Sequence, residues 1–273
     1  MVTDRDEIAR MFGQIAVNAA VPIMGFFNSA GSARHKSDGS PVTDADLASE
    51  KVILAALAAE LPHIPVVSEE EASEGIVRDV GNRFILVDPL DGTREFVHRR
   101  NEFAVNIGLI DNGVAVAGAI YAPALGQLWI GGTRAYSLSL MPGEKLGDAR
   151  DSRRIATRTP PQGGLHVVAS RSHPDRQTGE FIDRLEVEDR ISAGSSLKFC
   201  LVAEGRADVY PRFGPTMEWD VAAGDAILRA AGGVMVAGGG EPFQYAKAGF
   251  KTGPFVALGD PSLHGRVFGA NPA

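Results

Sequence analysis

The sequence of 273 residues predicts a two-lobed α/β fold, an α+β N-terminal lobe followed by an α/β C-terminal lobe. Three observations carry that expectation. Two long helical patterns precede a run of short strands; strands and helices alternate in the second half; and between the halves lies a polar stretch, residues 141–164, rich in Pro, Gly and Arg and without periodicity. The boundary is therefore placed there, giving lobes of residues 1–145 and 146–273. With 44% hydrophobic residues, the chain can bury a sizeable core.

The first helix is expected over residues 4–27, where Ile8, Met11, Phe12, Ile15 and Ala19 recur at helical spacing. Residues 31–41, rich in Gly, Ser and charge, read as a loop. Thr43, Asp44 and Asp46 then open a helix over 47–61, which Pro62 ends. Strands follow at 65–67 and 84–87, each finishing in acidic residues, which is where α/β proteins place their chemistry. Strands at 104–110 and 114–121 flank Asp111-Asn112-Gly113, a hairpin signal because Asn and Gly tolerate positive φ. Another strand covers 127–131. The second lobe alternates strands at 165–170, near 208–210 and at 233–236 with helices at 174–185, 195–203 and 219–231.

A net charge of -7 argues against nucleic acid as a partner, since binding a phosphate backbone needs a surplus of Lys and Arg. Cys200 is the single cysteine, so an internal disulfide and a Cys-rich zinc site are excluded and a reducing compartment is expected. Asp4, Asp6 and Glu7 precede the first apolar stretch, unlike the basic start of a secretory signal. No uninterrupted apolar run approaches about 20 residues, so no transmembrane segment is expected.

Asp88-Pro89-Leu90-Asp91-Gly92-Thr93 directly follows an apolar strand. Pro89 fixes the backbone and Gly92 permits a tight turn, so both carboxylates can be aimed at one point. Alone, such a run is also an ordinary surface turn. Two further acidic positions favour a metal site: Glu69 in Ser68-Glu69-Glu70-Glu71 after a strand, and Asp220 in Glu218-Trp219-Asp220 where a helix begins. Asp220 keeps a rival role as a first-turn residue favoured by the helix dipole. Mg²⁺ binds oxygen at about 2.1 Å and keeps several waters, so carboxylates plus one backbone carbonyl, from Leu90, would suffice.

In this order and spacing, Glu69-Glu70, Asp88-Pro89-Leu90-Asp91-Gly92-Thr93 and Trp219-Asp220-Val221-Ala222-Ala223-Gly224 resemble the lithium-sensitive, Mg²⁺-dependent phosphatase superfamily that includes inositol monophosphatase. Within it, Ser195-Ser196-Leu197-Lys198-Phe199-Cys200, Asp208-Val209-Tyr210-Pro211-Arg212 and the run from Gly214 to Asp220 are most similar to the 3'(2'),5'-bisphosphate nucleotidase (CysQ) family. The resemblance extends over nearly the whole chain. It implies a layered αβαβα sugar-phosphatase fold with metals at the junction of the lobes. It also implies that Glu69, Asp88 and the Leu90 carbonyl hold one Mg²⁺ and that Asp88, Asp91 and Asp220 hold a second. Glu69 can reach a third, so two or three ions per chain are expected. In the family a Thr, here Thr93, pairs with an Asp to activate water; Asp46 fits that position, with Asp44 as second choice. Glu70 and Glu71 match no ligand position and are expected to be solvated.

Phosphoryl transfer asks for positioning and charge stabilisation rather than a protein nucleophile. Asp46 and Thr93 are expected to relay the proton of the attacking water, and the N–H groups of Gly92 and Thr93 to donate to phosphate. No histidine sits in ligand-like spacing; His98 and His173 read as surface or loop residues and Cys200 as a buried structural thiol. Arg212 stands where inositol phosphatases present a carboxylate to sugar hydroxyls, and Lys198 lies on the preceding helix. Cations there suit a second phosphate, although both residues could equally be solvated. Ser195 and Ser196 could be N-caps, and Gly194 and Ser196 could line the substrate pocket with Asp220. The implied reaction converts adenosine 3',5'-bisphosphate to AMP and phosphate, with lithium inhibition. Inositol-1-phosphate or histidinol-phosphate hydrolysis is the alternative, and a non-catalytic nucleotide sensor is the rival from another class. The expected partner is a small phosphorylated nucleotide, with a homodimer left open; the expected location is cytoplasmic, with peripheral contact at the inner membrane also open. Residues 31–41 are the candidate lid.

Overall fold

Asp4 starts the first helix, its carboxylate accepting the Asp6 N–H at 2.9 Å. The computed structural model describes residues 4–29, 33–35, 41–76, 79–172 and 175–269, with the backbone alone for 33–35, 41 and 42. α1 (Arg5–Asn28) buries Ile8, Phe12, Ile15, Ala19 and Ile23 along one stripe. It is long and apolar enough, by length and composition, to cross a bilayer, and that stripe packs on a sheet. β1 (Ala33–His35) pairs with β2 (Pro41–Thr43). Much of the expected lid, and His173, lies outside the described residues. α2 (Asp44–Glu60) opens at Asp44 rather than Leu47, because Thr43 and Asp46 cap each other: Thr43 Oγ1 accepts from Ala45 N, and Asp46 Oδ2 accepts from Thr43 N at 2.7 Å.

The chain continues through β3 (Val66–Ser68), α3 (Glu69–Ser73), β4 (Arg83–Asp91), α4 (Thr93–Val97), β5 (Ala104–Asp111), β6 (Val114–Ala122), β7 (Gln127–Gly131), β8 (Ala135–Ser139) and β9 (Arg150–Ile155). These strands form one seven-stranded sheet in sequence order, with β3 and β4 parallel and the other pairs antiparallel. Asn112 and Gly113 take φ of 51° and 75°, as the hairpin reading requires. β9 forms inside the stretch without periodicity. It is the edge strand, exposed from Arg150 to Arg154, so no apolar alternation marks it.

Then come β10 (Leu165–Ser170), α5 (Arg176–Ile182), β11 (Val187–Ala193), α6 (Leu197–Ala203), β12 (Val209–Arg212), α7 (Glu218–Ala231), β13 (Val234–Ala237), β14 (Phe255–Leu258) and α8 (His264–Phe268). The second sheet has the order β11-β10-β12-β14-β13, parallel from β11 to β12 and antiparallel beyond.

Alternation along β4 divides the layers. Ile85 and Val87 meet Ile8, Phe12 and Ile53 of α1 and α2, whereas Phe84 and Leu86 face Phe199, Trp219 and Tyr210 between the sheets. α5 and α8 cover the outer face of the second sheet, Phe181 and Val267 packing with Val167, Val209 and Val256. The layering is thus αβαβα, as the resemblance implied.

α7 lies so close to the first sheet that side chains do not fit beneath it. A Cβ on Gly108, Gly118 or Gly131 would come within 2.8 Å of Ala222, 2.7 Å of Ala223 and 2.5 Å of Ile227 backbone atoms. That seat fixes the first turn of α7, and with it Asp220, beside Glu69 and Asp88.

Candidate active site

In a regular strand residues three apart point to opposite faces. Asp88 and Asp91 escape this rule through a bulge: Asp88 stands opposite Asn106 and Asp91 opposite Ala104, so three steps on β4 match two on β5. Pro89, which cannot donate to a ladder, is tolerated there, and its carbonyl accepts the Ser49 hydroxyl at 2.9 Å. Leu90 N donates to Asp88 Oδ1 at 3.0 Å, and Thr93 Oγ1 donates to the Leu90 carbonyl at 3.2 Å. Gly92 has φ of 88°, and a Cβ there would lie 3.0 Å from the Glu102 carbonyl, so glycine is required. The parallel register pairs Ser68 with Val87, which carries Glu69 alongside Asp88.

The second wall comes from the C-terminal half. Asp91 Oδ2 accepts from Ser195 Oγ and Ser196 N, each at 2.5 Å, and from Asn106 Nδ2 at 3.4 Å. Asp220 Oδ2 accepts from Met217 N at 2.9 Å and from the Thr216 hydroxyl. Its capping role and its place in the site therefore coexist.

Oxygens of Glu69, Asp88 and Asp220 lie within 4.8 Å of one another. Burial, with Glu69, Asp91 and Asp220 alongside, pushes the Asp88 carboxyl well above its ordinary value. Burial and then Asp91 push Asp220 up, against the hydrogen bonds from Met217 and Thr216 and the charge of Arg212. Hard oxygen donors crowded this closely, and disfavoured as bare anions, fit a divalent cation such as Mg²⁺. The cleft, of about 240 Å³, is lined by these three carboxylates with Leu90, Asp91, Gly92, Thr93, Gly194, Lys198 and Arg212.

Asp46 lies behind Thr93, its Oδ1 3.5 Å from Thr93 Oγ1, while Thr43 engages its Oδ2. Ser196 is buried and does not cap α6 with its side chain; its hydroxyl donates to Asn106 Oδ1 at 2.7 Å. Lys198 is 1% exposed, which removes the solvated alternative. Glu70, expected to be solvated, is instead 4% exposed, because α3 turns it into the protein. Cys200 is buried, as expected. Sequence reasoning missed Arg94, Glu95, Ser170, Ser172 and Ser195 on the cleft wall, and Asn106 behind it. Arg94 and Glu95 directly follow Thr93, and a lone Asn in the apolar strand Ala104-Val105-Asn106-Ile107 was a readable signal.

Two sheets in an αβαβα sandwich, with a carboxylate cluster and cationic side chains in one cleft between them, define a phosphatase site suited to a divalent metal. The chain belongs to the inositol monophosphatase family, whose sequence pattern matches residues 4–267. It is similar to the 3'(2'),5'-bisphosphate nucleotidase CysQ of Salmonella typhimurium, 45% identical over 221 residues that cover 80% of this chain and 86% of that protein. Its structure is similar to that of CysQ from Bacteroides thetaiotaomicron, with a TM-score of 0.78 and 39% identity over 94% of this chain and 98% of that one. The inositol monophosphatase from Anabaena superposes with a TM-score of 0.72 and 26% identity, over 97% of this chain and 94% of that one.

Proposed function

We propose that this phosphatase is a Mg²⁺-dependent 3'(2'),5'-bisphosphate nucleotidase that hydrolyses adenosine 3',5'-bisphosphate to AMP and phosphate in the cytoplasm. The observation that carries the proposal is the joining of the carboxylate cluster with Lys198 and Arg212 in one cleft. The names of the CysQ relatives support the substrate. Residues 1–145 supply Glu69, Asp88, the Leu90 carbonyl and Asp91 as ligands for two or three ions, and residues 146–273 supply Asp220 and the substrate pocket. Mg²⁺, when bound there, stabilises charge on the phosphoryl oxygens and acidifies the attacking water.

The chain's own residues do the remainder. Thr93 Oγ1 lies within reach of both the Leu90 carbonyl and Asp46 Oδ1; turned to Asp46, its one hydroxyl proton passes to that carboxylate as the oxygen takes the water's proton, and the Thr43 contacts on Oδ2 keep the carboxylate oriented. Gly92 and Thr93 position the phosphate, Lys198, Arg212 and Gly194 shape the nucleotide side, and Ser196, buried behind the wall, holds Asp91 through its N–H. Glu95, a buried carboxylate on the wall, favours a second reading, a sugar-phosphate substrate whose hydroxyls it would accept.

Phosphate release with Mg²⁺ from adenosine 3',5'-bisphosphate and from inositol-1-phosphate separates the two. The nucleotide should be strongly preferred, and Asp91→Asn should reduce its turnover by roughly a thousandfold. A preference for inositol-1-phosphate would replace the first reading by the second.

A further inference from the structure

Among the described residues three cationic side chains line the cleft, Arg94, Lys198 and Arg212. Two are engaged by the fold. Lys198 Nζ donates to the Ser195 carbonyl and lies 5.3 Å from the centre of the Tyr210 ring. Arg212 Nη2 donates to the Pro215 carbonyl at 2.9 Å. Arg94 differs. It is exposed, it follows Thr93 directly, and among the described residues its guanidinium has no hydrogen-bond or ion-pair partner. The neighbouring Glu95 does not pair with it; that carboxylate takes the Ser172 hydroxyl. His98 Nδ1 meets the Arg94 carbonyl at 2.7 Å, which steadies the turn that presents it.

An arginine bordering a cleft with this many carboxylates would gain by pairing with one of them. Among the described residues none takes its five N–H donors, which suits them to a ligand. The metal-binding carboxylates lie where a phosphate would be cleaved, so a second, non-reacting phosphate needs directed donors elsewhere on the wall. A guanidinium meets phosphate with two parallel hydrogen bonds, which an ammonium cannot reproduce.

We propose that Arg94 reads the second phosphate of a bisphosphorylated nucleotide, an inference that rests on the nucleotidase reading above. The contact is with a group that does not react, so it acts on binding and shows in KM more than in kcat.

The test compares kcat/KM for adenosine 3',5'-bisphosphate and adenosine 3'-monophosphate in the wild type, Arg94→Ala, Arg94→Lys and Arg212→Ala. Arg94→Ala should shrink the wild-type preference for the bisphosphate by about ten- to a hundredfold, mainly through KM. Arg94→Lys should restore part of it, and Arg212→Ala should shrink it less. The melting temperature of Arg94→Ala should stay within about 2 °C of wild type, since an exposed, unpaired side chain is removed. A preference that survives Arg94→Ala, or an equal loss on both substrates, would overturn the role of Arg94 alone. A wild type without any preference for the bisphosphate would overturn the nucleotidase reading, and this inference with it.

Discussion

The two walls of the cleft are built by different means. On the wall from β4 and α4, the chain aims its own groups: a bulge turns Asp88 and Asp91 to one face, the Leu90 amide holds Asp88, and Thr93 is tied to the Leu90 carbonyl. On the wall from α6, β12 and α7, distant contacts do the placing. Ser195 and Ser196 are fixed on Asp91 of β4, and Asp220 stands where it does because α7 rests on three glycines of the seven-stranded sheet. A site half local and half tertiary should therefore fail in two distinguishable ways.

The largest effect on the tertiary wall is expected from Gly131→Ala. The new methyl would meet the Ile227 backbone, which cannot rotate away, so unfolding by denaturant should show a loss of about 3 kcal/mol. Mg²⁺ binding should weaken with it, as the first turn of α7 is displaced; unchanged stability would break the comparison. Next is Asn106→Ala, which removes the side-chain bridge from the Ser196 hydroxyl to Asp91. Outer partners of metal ligands typically matter by about ten- to a hundredfold in affinity, so calorimetry with Mg²⁺ should show a loss in that range. Ser196→Ala should lose less, because the Ser196 N–H still reaches Asp91.

The smallest effect separates structural from site carboxylates on the same helix. Asp225, fully buried, takes Arg229 and the Tyr245 hydroxyl as partners, and burial outweighs both, pushing its carboxyl up to about 6. A carboxyl raised in the folded state contributes stability that is present below its unfolded value, 3.8, and lost as pH rises through about 6. Between about pH 5 and 7 the wild type should lose about 1 kcal/mol that Asp225→Asn does not. Equal pH dependence in both proteins would place the titration elsewhere.

The same contrast explains what the sequence disclosed. Acidic residues at strand ends and the Asp88 to Thr93 turn are local, so residue type and spacing reveal them. The bulge, the burial of Glu70 and the edge strand β9 depend on what packs alongside, and nothing in their own residues announces it. Helix α2 started early because a reciprocal cap, readable in Thr43 and Asp46, outranks the start of the apolar run. Ser196 reads as a cap or as pocket lining from its position; only the approach of Asn106 on β5 shows its hydroxyl engaged.

The most direct measurement is a calorimetric Mg²⁺ titration, with phosphate release in parallel, on the wild type, Asp88→Asn and Asp220→Asn. One site shared by both walls predicts that each substitution weakens binding and abolishes release together. Wild-type binding and turnover in Asp220→Asn would contradict it, leaving the metal to the β4 wall alone.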